Sequence, residues 1–374
     1  MRVSQANPAP DLIDFGIGQP GFDLLPAELL RQAGQARLDG KDTSFLNYGL
    51  EQGDEFLRHA LARFLSEQYA SPVDPAHLFI SAGASSALAL ICMLYTKPGD
   101  VVLVEEPSYF LALRIFADYG LRVISLPVDD AGLDPDAVET ILSQYRPTLL
   151  YTIPTFQNPT GVTLSPTRRA RLAELARQHD FLIVADEVYH SLSYASSPPR
   201  PMAAYAGEGH VLSIGSFSKI LAPGLRLGWI QAAPEQIARV TNCGLVDSGG
   251  GMNPLAAALV RPLLENGGQN EYLTELRTTY AARVNALNAA LARELGDRAR
   301  WRRPEGGFFF WLELLPEYDT DALLDKARLQ RVSFQPGPKF SSRNGLHHCL
   351  RLSFAFYAIP QLEEGARRLA KAVR

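Results

Sequence analysis

Lys219 lies in the run SIGSFSKILAPGLRLGW, residues 213–229, between an apolar stretch and a Pro-Gly turn. The other lysines, Lys41, Lys97, Lys326, Lys339 and Lys371, fall in a polar loop, beside Pro-Gly turns or on amphipathic stretches. An amine attacks a carbonyl only when neutral, and partial burial lowers a lysine pKa towards that state. Lysines placed in this way form Schiff bases. Asp186 emerges from the apolar run FLIVADEVY. A carboxylate there needs a cationic partner, unless it caps a helix or joins a structural ion pair. Arg226, flanked by leucines in PGLRLG, is costly to bury without an anion, and phosphate is the natural one. Arg351 poses the same problem in CLRLSFAF. Alternation sets Leu350, Leu352, Phe354 and Phe356 on one face and Arg351 with Ser353 on the other. The partner of Arg351 is either a distant carboxylate or a ligand carboxylate held bidentately.

Other groups also follow apolar runs. After HLFIS comes AGASSAL, where Ala84 and Ser85 offer backbone N–H groups to an anion at a helix start, if this is not an ordinary cap. Tyr109, in EPSYF, falls on the first turn of the next helix, positioned to cover a planar ring or to fill the core. In PTFQNPTG, Pro154, Pro159 and Gly161 make a rigid turn that holds Asn158 with its amide free to donate. Tyr189 follows Asp186 closely, and Ser216 and Ser218 precede Lys219. One object satisfies the whole set. It carries a phosphate for Ala84, Ser85, Ser216, Ser218 and Arg226, and a flat ring for Tyr109. It carries a ring cation for Asp186, a phenolate oxygen for Asn158 and Tyr189, and an aldehyde for Lys219. These are the attributes of pyridoxal 5′-phosphate, which needs a lysine link and an acidic partner for its pyridine nitrogen.

The elements that must position these groups read as alternating strands and helices from residue 77 to about 232. Seven apolar runs, HLFIS, VVLVE, RVISLPV, TLLYTIP, FLIVADE, HVLSIGS and LRLGWIQA, are separated in most cases by amphipathic segments. Continuous Val/Ile/Leu runs between helices predict a buried, mostly parallel seven-stranded sheet in a three-layer α/β domain. Asp134 and Ser165 are expected helix N-caps, with Pro166 in the first turn after Ser165. Ligands in such folds bind beyond the carboxyl ends of the strands, where the residues named above fall. The flanks read as a smaller α+β domain built from both chain ends. The expected division is an N-terminal segment over residues 1–50, a large cofactor-binding domain over 51–275 and a small domain over 276–374. GIGQPG, residues 16–21, matches a dinucleotide fingerprint in letters only. Pro20 interrupts it and no apolar helix opens within it, so a glycine-rich lip of the site is expected instead.

The 374-residue chain is 47% hydrophobic, enough for a large core, with a net charge of −4. No basic tract points to nucleic acid or an anionic membrane, and most arginines are expected on solvated helix faces. The apolar stretch SSALALICMLY is too short to span a bilayer, and the N-terminus lacks the apolar core of a signal peptide. Cys92, Cys243 and Cys349 form no C-x-x-C pair, which favours core packing in a reducing cytoplasm. The seven histidines make no metal-binding pattern, so no metal is expected.

Taken in order, NYG, SAGASSAL, EEPSYF, PTFQNPTG, ADEVY, SFSK…PGLRLG, PEGGFFFWLEL and LRLSF resemble the class I/II aminotransferases of pyridoxal-phosphate fold type I over nearly the whole chain. The likeness is greatest to the aminoadipate/kynurenine-type branch, which is related to the effector domains of some bacterial regulators. It implies ping-pong transfer of an amino group from an L-amino acid to a 2-oxo acid. Lys219 would anchor the cofactor and then shuttle a proton between Cα and C4′. Asp186 would keep the pyridine nitrogen protonated, Asn158 and Tyr189 would contact O3′, and Tyr109 would stack. Arg351 would bind the α-carboxylate, with Gly18 in the segment that closes over substrate. Tyr48, in FLNYGLEQG, would reach the phosphate of a neighbouring subunit, implying a homodimer. Two stretches depart from the branch: GIGQPGFDLLP has no arginine, and SGGGMNP is glycine-rich. Both speak against an acidic side-chain preference. Phe308, Phe309, Phe310 and Trp311 hint at an apolar or aromatic substrate, although alternation sends about half of them into the core. Two alternatives are a β-eliminating lyase on the same site and a cofactor-binding sensor domain. The second is disfavoured because the first motif begins near residue 14, leaving no room for a winged helix ahead of it.

Overall fold

The computed structural model describes residues 5–195 and 197–373. A short strand, β1 (Ile13–Asp14), precedes helices α1 (Ala27–Leu38) and α2 (Glu55–Tyr69). The alternating region follows as β2 (Leu78–Ser81), α3 (Ala84–Tyr95), β3 (Val101–Glu106), α4 (Phe110–Asp118) and β4 (Arg122–Asp129). It continues with β5 (Gly132–Leu133), α5 (Pro135–Leu142), β6 (Pro147–Thr152), α6 (Pro166–His179), β7 (Leu182–Asp186), β8 (Val211–Ser216) and β9 (Gly228–Gln231). Asp134 and Ser165 cap α5 and α6 by accepting from Asp136 N and Arg168 N. Pro135 and Pro166 stand where a helix leaves N–H groups unused in any case.

The large sheet runs β2-β9-β8-β7-β6-β3-β4-β5. Its centre is parallel, and β9 is antiparallel to both β2 and β8. The seven expected strands form, and the two-residue β5 adds an edge by hairpin to β4. So short a strand carries no alternation for a sequence reading to detect. Helices on both sides bury the strands; Leu103, Leu150 and Ile183 are fully buried, each contributing about 2 kcal/mol. From β3 the chain first moves outward to β4. It then returns to the other side of β3 as β6, and β7 and β8 continue in that direction. The reversal lies between β3 and β6, the place where such sheets open a ligand crevice.

After β9 come α7 (Pro234–Thr241), α8 (Gly244–Gly249), α9 (Pro254–Glu265) and α10 (Gly268–Leu295). Helix α10 runs unbroken through residue 275, so the division expected there falls inside a helix and not at a linker. The remaining elements are β10 (Ala299–Trp301), β11 (Phe309–Leu314), α11 (Thr320–Leu329), β12 (Val332–Ser333), β13 (Gln335–Pro336), β14 (Cys349–Ser353) and α12 (Ile359–Ala372). Strands β10-β11-β14-β13 form an antiparallel sheet, while β1 pairs with β12 and so brings the two chain ends together. Alternation along Phe308–Trp311 predicts that about half of these side chains enter the core; all four are buried. Both faces of the sheet are covered here: Phe310 packs on Phe354 and Trp311 on Phe340.

Candidate active site

Lys219 follows β8, and Asp186 ends β7. The Lys219 Nζ donates to the Gly18 carbonyl at 2.8 Å and sits 5.5 Å from the centre of the Phe308 ring. Burial, helped by the charges of Arg351 and Arg226, brings its pKa down to about 8; Asp186 opposes the shift. Burial pushes Asp186 up to about 6, against a hydrogen bond from Tyr151 and the Val188 backbone N–H. The Tyr151 hydroxyl donates to Asp186 Oδ2 at 2.8 Å, and Oδ1 is buried without a hydrogen-bond partner among the described residues. The carboxylate is therefore neither a helix cap nor half of an ion pair.

A second group of residues forms an anion cradle. Helix α3 begins with no side-chain cap, after Gly83 at φ +90°. A Cβ at Gly83 would lie 2.7 Å from Arg226 Nη2, so only glycine lets the guanidinium approach this helix start. Arg226 hydrogen-bonds the Ser218 hydroxyl at 3.3 Å and the Pro223 and Ala82 carbonyls, which leaves its positive charge available to an anion. Ser216 donates to Ser218 at 2.9 Å. The backbone N–H groups of Ala84 and Ser85 open the same helix. Arg226 is held at φ +48° by Asn253 of the glycine-rich segment, whose Nδ2 donates to the Leu225 and Arg226 carbonyls.

Arg351 is 3% exposed, on β14. Its guanidinium lies 4.0 Å from the centre of the Phe309 ring and 5.0 Å from that of Phe340. Nη1 donates to Asn158 Oδ1 at 2.9 Å and Nη2 to the Gly16 carbonyl at 3.0 Å, while Nε is buried without a partner among the described residues. Its hydrogen-bond partners are an amide and a backbone carbonyl, not the distant carboxylate left open by the sequence. Burial lowers its pKa to about 10, so it remains charged at neutral pH. Gly18 is small for a reason: a Cβ there would meet Phe309 Cζ at 3.1 Å and approach Arg351 Nη2 at 3.5 Å.

Tyr189 is buried edge-on against Phe308 and Phe309. Tyr109 is the N-cap residue of α4, one position before the helix and not within its first turn. Burial keeps both hydroxyls protonated, pushing Tyr109 up to about 12. Tyr48 stands apart from the other site residues. It is 81% exposed, with its Cβ near Gly250.

Sequence reasoning missed Tyr151, although a tyrosine inside the buried run TLLYTIP needs a partner for its hydroxyl. Most arginines are expected on solvated helix faces, and Arg169 on α6 is an exception at 1% exposed. Arg169 donates to the Pro154 carbonyl at 2.6 Å and Thr155 Oγ1 at 2.9 Å, and lies 3.8 Å from Glu187. It thereby ties the turn that carries Asn158 to the residue after Asp186. A lysine of lowered pKa, a carboxylate oxygen without a partner among the described residues, a helix start beside an arginine and a buried arginine with an unpartnered Nε fit the chemistry of pyridoxal 5′-phosphate and an amino acid.

Residues 10–369 match the family model described as aminotransferase class I and II. The chain is 35% identical over 370 residues to aromatic-amino-acid aminotransferase 1 of Thermococcus litoralis, covering 97% of this chain and 88% of that one. It is 33% identical over 370 residues to 2-aminoadipate transaminase of Thermus thermophilus, covering 98% and 91%. It is also similar to the crystal structure of Pyrococcus horikoshii kynurenine aminotransferase in complex with PMP. That match has a TM-score of 0.92 at 31% identity and covers 98% of this chain and 91% of that one.

Proposed function

The chain belongs to the class I and II aminotransferases, and from that premise we propose how its own residues divide the work of a pyridoxal 5′-phosphate transaminase. When bound, the cofactor supplies an aldehyde to hold the amino nitrogen and a ring to accept the electrons left on Cα. Lys219 would hold the cofactor, and its Nζ, neutral in part because burial lowers its pKa to about 8, would serve as the base for the Cα proton. Asp186 would keep the ring nitrogen protonated. Asn158 and the Tyr189 hydroxyl would serve the phenolate oxygen, and Tyr109 would cover the ring. Ser216, Ser218, Arg226 and the backbone N–H groups of Ala84 and Ser85 would hold the phosphate. Arg351 would take the α-carboxylate, with Gly18 in the segment beside it. The observation that carries the assignment is the buried Asp186 oxygen left without a partner among the described residues, near enough to Lys219 for each charge to act on the other. Amino transfer then runs in two halves, the donor leaving as a 2-oxo acid before the acceptor enters. Elimination and a sensor role without catalysis are not favoured.

The preferred substrate has an uncharged side chain, aromatic or aliphatic. Arg226 and Arg351 are committed to phosphate and α-carboxylate, and the nearby surfaces belong to Phe308, Phe309 and Phe340. The test mixes the loaded enzyme with each L-amino acid and follows loss of the cofactor's yellow absorption band, together with keto-acid exchange. Aromatic and aliphatic donors are expected to react about 100-fold more efficiently than aspartate, since the rings of Phe308, Phe309 and Phe340 favour an apolar side chain over a second carboxylate. Release of pyruvate and ammonia in place of exchange would refute the transaminase reading.

Tyr48 is assigned to the phosphate of a partner subunit in a homodimer. Its exposure supports this, as does the exposed apolar company of Leu46, Leu50, Phe56 and Leu245, a patch of the kind that marks an interface. Tyr48→Phe is expected to weaken cofactor binding about tenfold, the loss of one hydrogen bond to a charged group. Mixing it with the Lys219→Ala variant should rebuild one intact site per mixed dimer, restoring wild-type affinity at that site. No restoration on mixing would place Tyr48 in its own subunit's site or outside catalysis. The proposed location is the cytoplasm; no helix among the described residues is long and apolar enough to cross a membrane. The proposed architecture is a large domain around the eight-stranded sheet and a small domain around the four-stranded one, joined by α10.

A further inference from the structure

We propose that the adjacent carboxylates Glu105 and Glu106, at the end of β3, are positioning residues that grip the seat of Arg351 from two sides and so set the enzyme's affinity for the substrate α-carboxylate. The inference rests on the role given to Arg351 above. Neighbouring residues on a strand point to opposite faces. Glu105 is 2% exposed and Glu106 8%, an expensive location for two acids unless each is satisfied by donors. Each is satisfied, by a different part of the structure around Arg351.

Glu105 accepts from Thr152 Oγ1 at 2.5 Å, Ile153 N at 3.1 Å and Gln157 Nε2 at 3.1 Å. Gln157 also donates to the Pro107 carbonyl at 2.8 Å and accepts from Thr160 N at 2.9 Å. These bonds fix both flanks of Asn158, the residue that receives Arg351 Nη1. Glu106 accepts from the hydroxyl of Ser341, and from Ser342 N at 3.0 Å and Ser342 Oγ at 3.2 Å. Those serines follow Phe340 directly. The Phe340 carbonyl is bound by Ser108 N at 2.9 Å, and its ring lies on the Arg351 guanidinium. Glu105 therefore fixes the in-plane partner of Arg351, and Glu106 fixes one of its two ring covers. The strand beside the reversal of the large sheet thus carries two clamps, one on the β6–α6 turn and one on the loop after β13. Between them the guanidinium is held with Nε free.

The test compares Glu106→Ala, Glu106→Gln and Glu105→Ala, each alone and combined with Arg351→Lys. Glu106→Ala is expected to raise KM for the amino acid about tenfold with kcat changed less than about threefold, because the receptor is loosened while the reacting atoms are not. The affinity of the cofactor-free protein for pyridoxal 5′-phosphate should be unchanged. Glu106→Gln, which can still accept from Ser342 N, should recover most of the loss. Glu105→Ala should raise KM by a similar factor through Asn158. In the Arg351→Lys background neither change should raise KM further, since groups acting through one residue are not additive. A loss of kcat at constant KM, or an equal effect with and without Arg351, overturns the proposal. If Arg351→Lys alone leaves KM unmoved, the reading of Arg351 fails and this proposal fails with it. Should Glu106→Ala not fold, Ser341→Ala removes one strand of the same clamp and is expected to give about a threefold rise in KM; no rise overturns the proposal.

Discussion

Lys219→Ala protein is expected to bind pyridoxal 5′-phosphate and yet turn over at least about 10⁴-fold more slowly than the parent enzyme, because covalent capture and general-base catalysis are lost together. The two roles need one property, an amine that is neutral near physiological pH. An ordinary lysine at pH 8 is almost entirely protonated. Burial and the cations Arg351 and Arg226 bring Lys219 down to about 8, where half of it is free base. The remaining binding groups stay in place in the variant: the α3 N-terminus, Ser216, Ser218, Arg226 and the free oxygen of Asp186. The checks are single-turnover kinetics and borohydride trapping followed by peptide mapping. Trapping should label the peptide around residue 219 in the parent and no peptide in the variant. Near-normal turnover, or trapping at another lysine, would remove Lys219 from the mechanism.

Asp186→Asn is the second large effect, with kcat expected to fall about 10³-fold while the protein remains folded. An amide still accepts from Tyr151 but cannot hold a proton on the pyridine nitrogen, and an uncompensated charge pairing in a buried site is worth several kcal/mol. Two pH signatures separate this from general damage. Cofactor affinity in the parent should fall as pH drops through about 6, where Asp186 becomes protonated, and the Asn variant should lack that limb. Stability of the cofactor-free protein should move the opposite way. The folded pKa of Asp186 is raised from 3.8 to about 6, so its contribution is fully present below 3.8 and lost as pH rises through 6. At pH 7 the cofactor-free Asn variant should therefore be more stable than the parent by about 3 kcal/mol, and the advantage should vanish towards pH 4. Thermal melts across that range decide it. A variant less stable at pH 7 would show that the carboxylate is a structural group and not a held reserve.

The residues whose chemistry is local were legible in the sequence. Lys219, Asp186, Asn158, Arg226 and Arg351 each stand out as a polar group at the edge of an apolar run, and the edge of a parallel sheet collects such groups in one place. The supporting residues were not legible, because their meaning depends on pairing across long separations. Tyr151 reads as one more apolar strand residue until β6 and β7 lie side by side and its hydroxyl meets Asp186. Arg169 reads as a solvated helix residue until α6 is seen to pack that face against the turn at Pro154. Alternation sends only about half of Phe308–Trp311 into the core, because a period-two pattern cannot reveal that a sheet is covered on both sides. The role of Tyr48 has its own obstacle, since a subunit-crossing contact leaves no mark on one chain beyond unusual exposure.

Asn158 gives its carbonyl oxygen to Arg351, a bond that leaves its NH₂ end unspent. In the division of roles proposed above that end would face the cofactor's phenolate, so one planar amide would touch the receptor and the ring at once. Any change that turns this amide over would then disturb recognition and activation together.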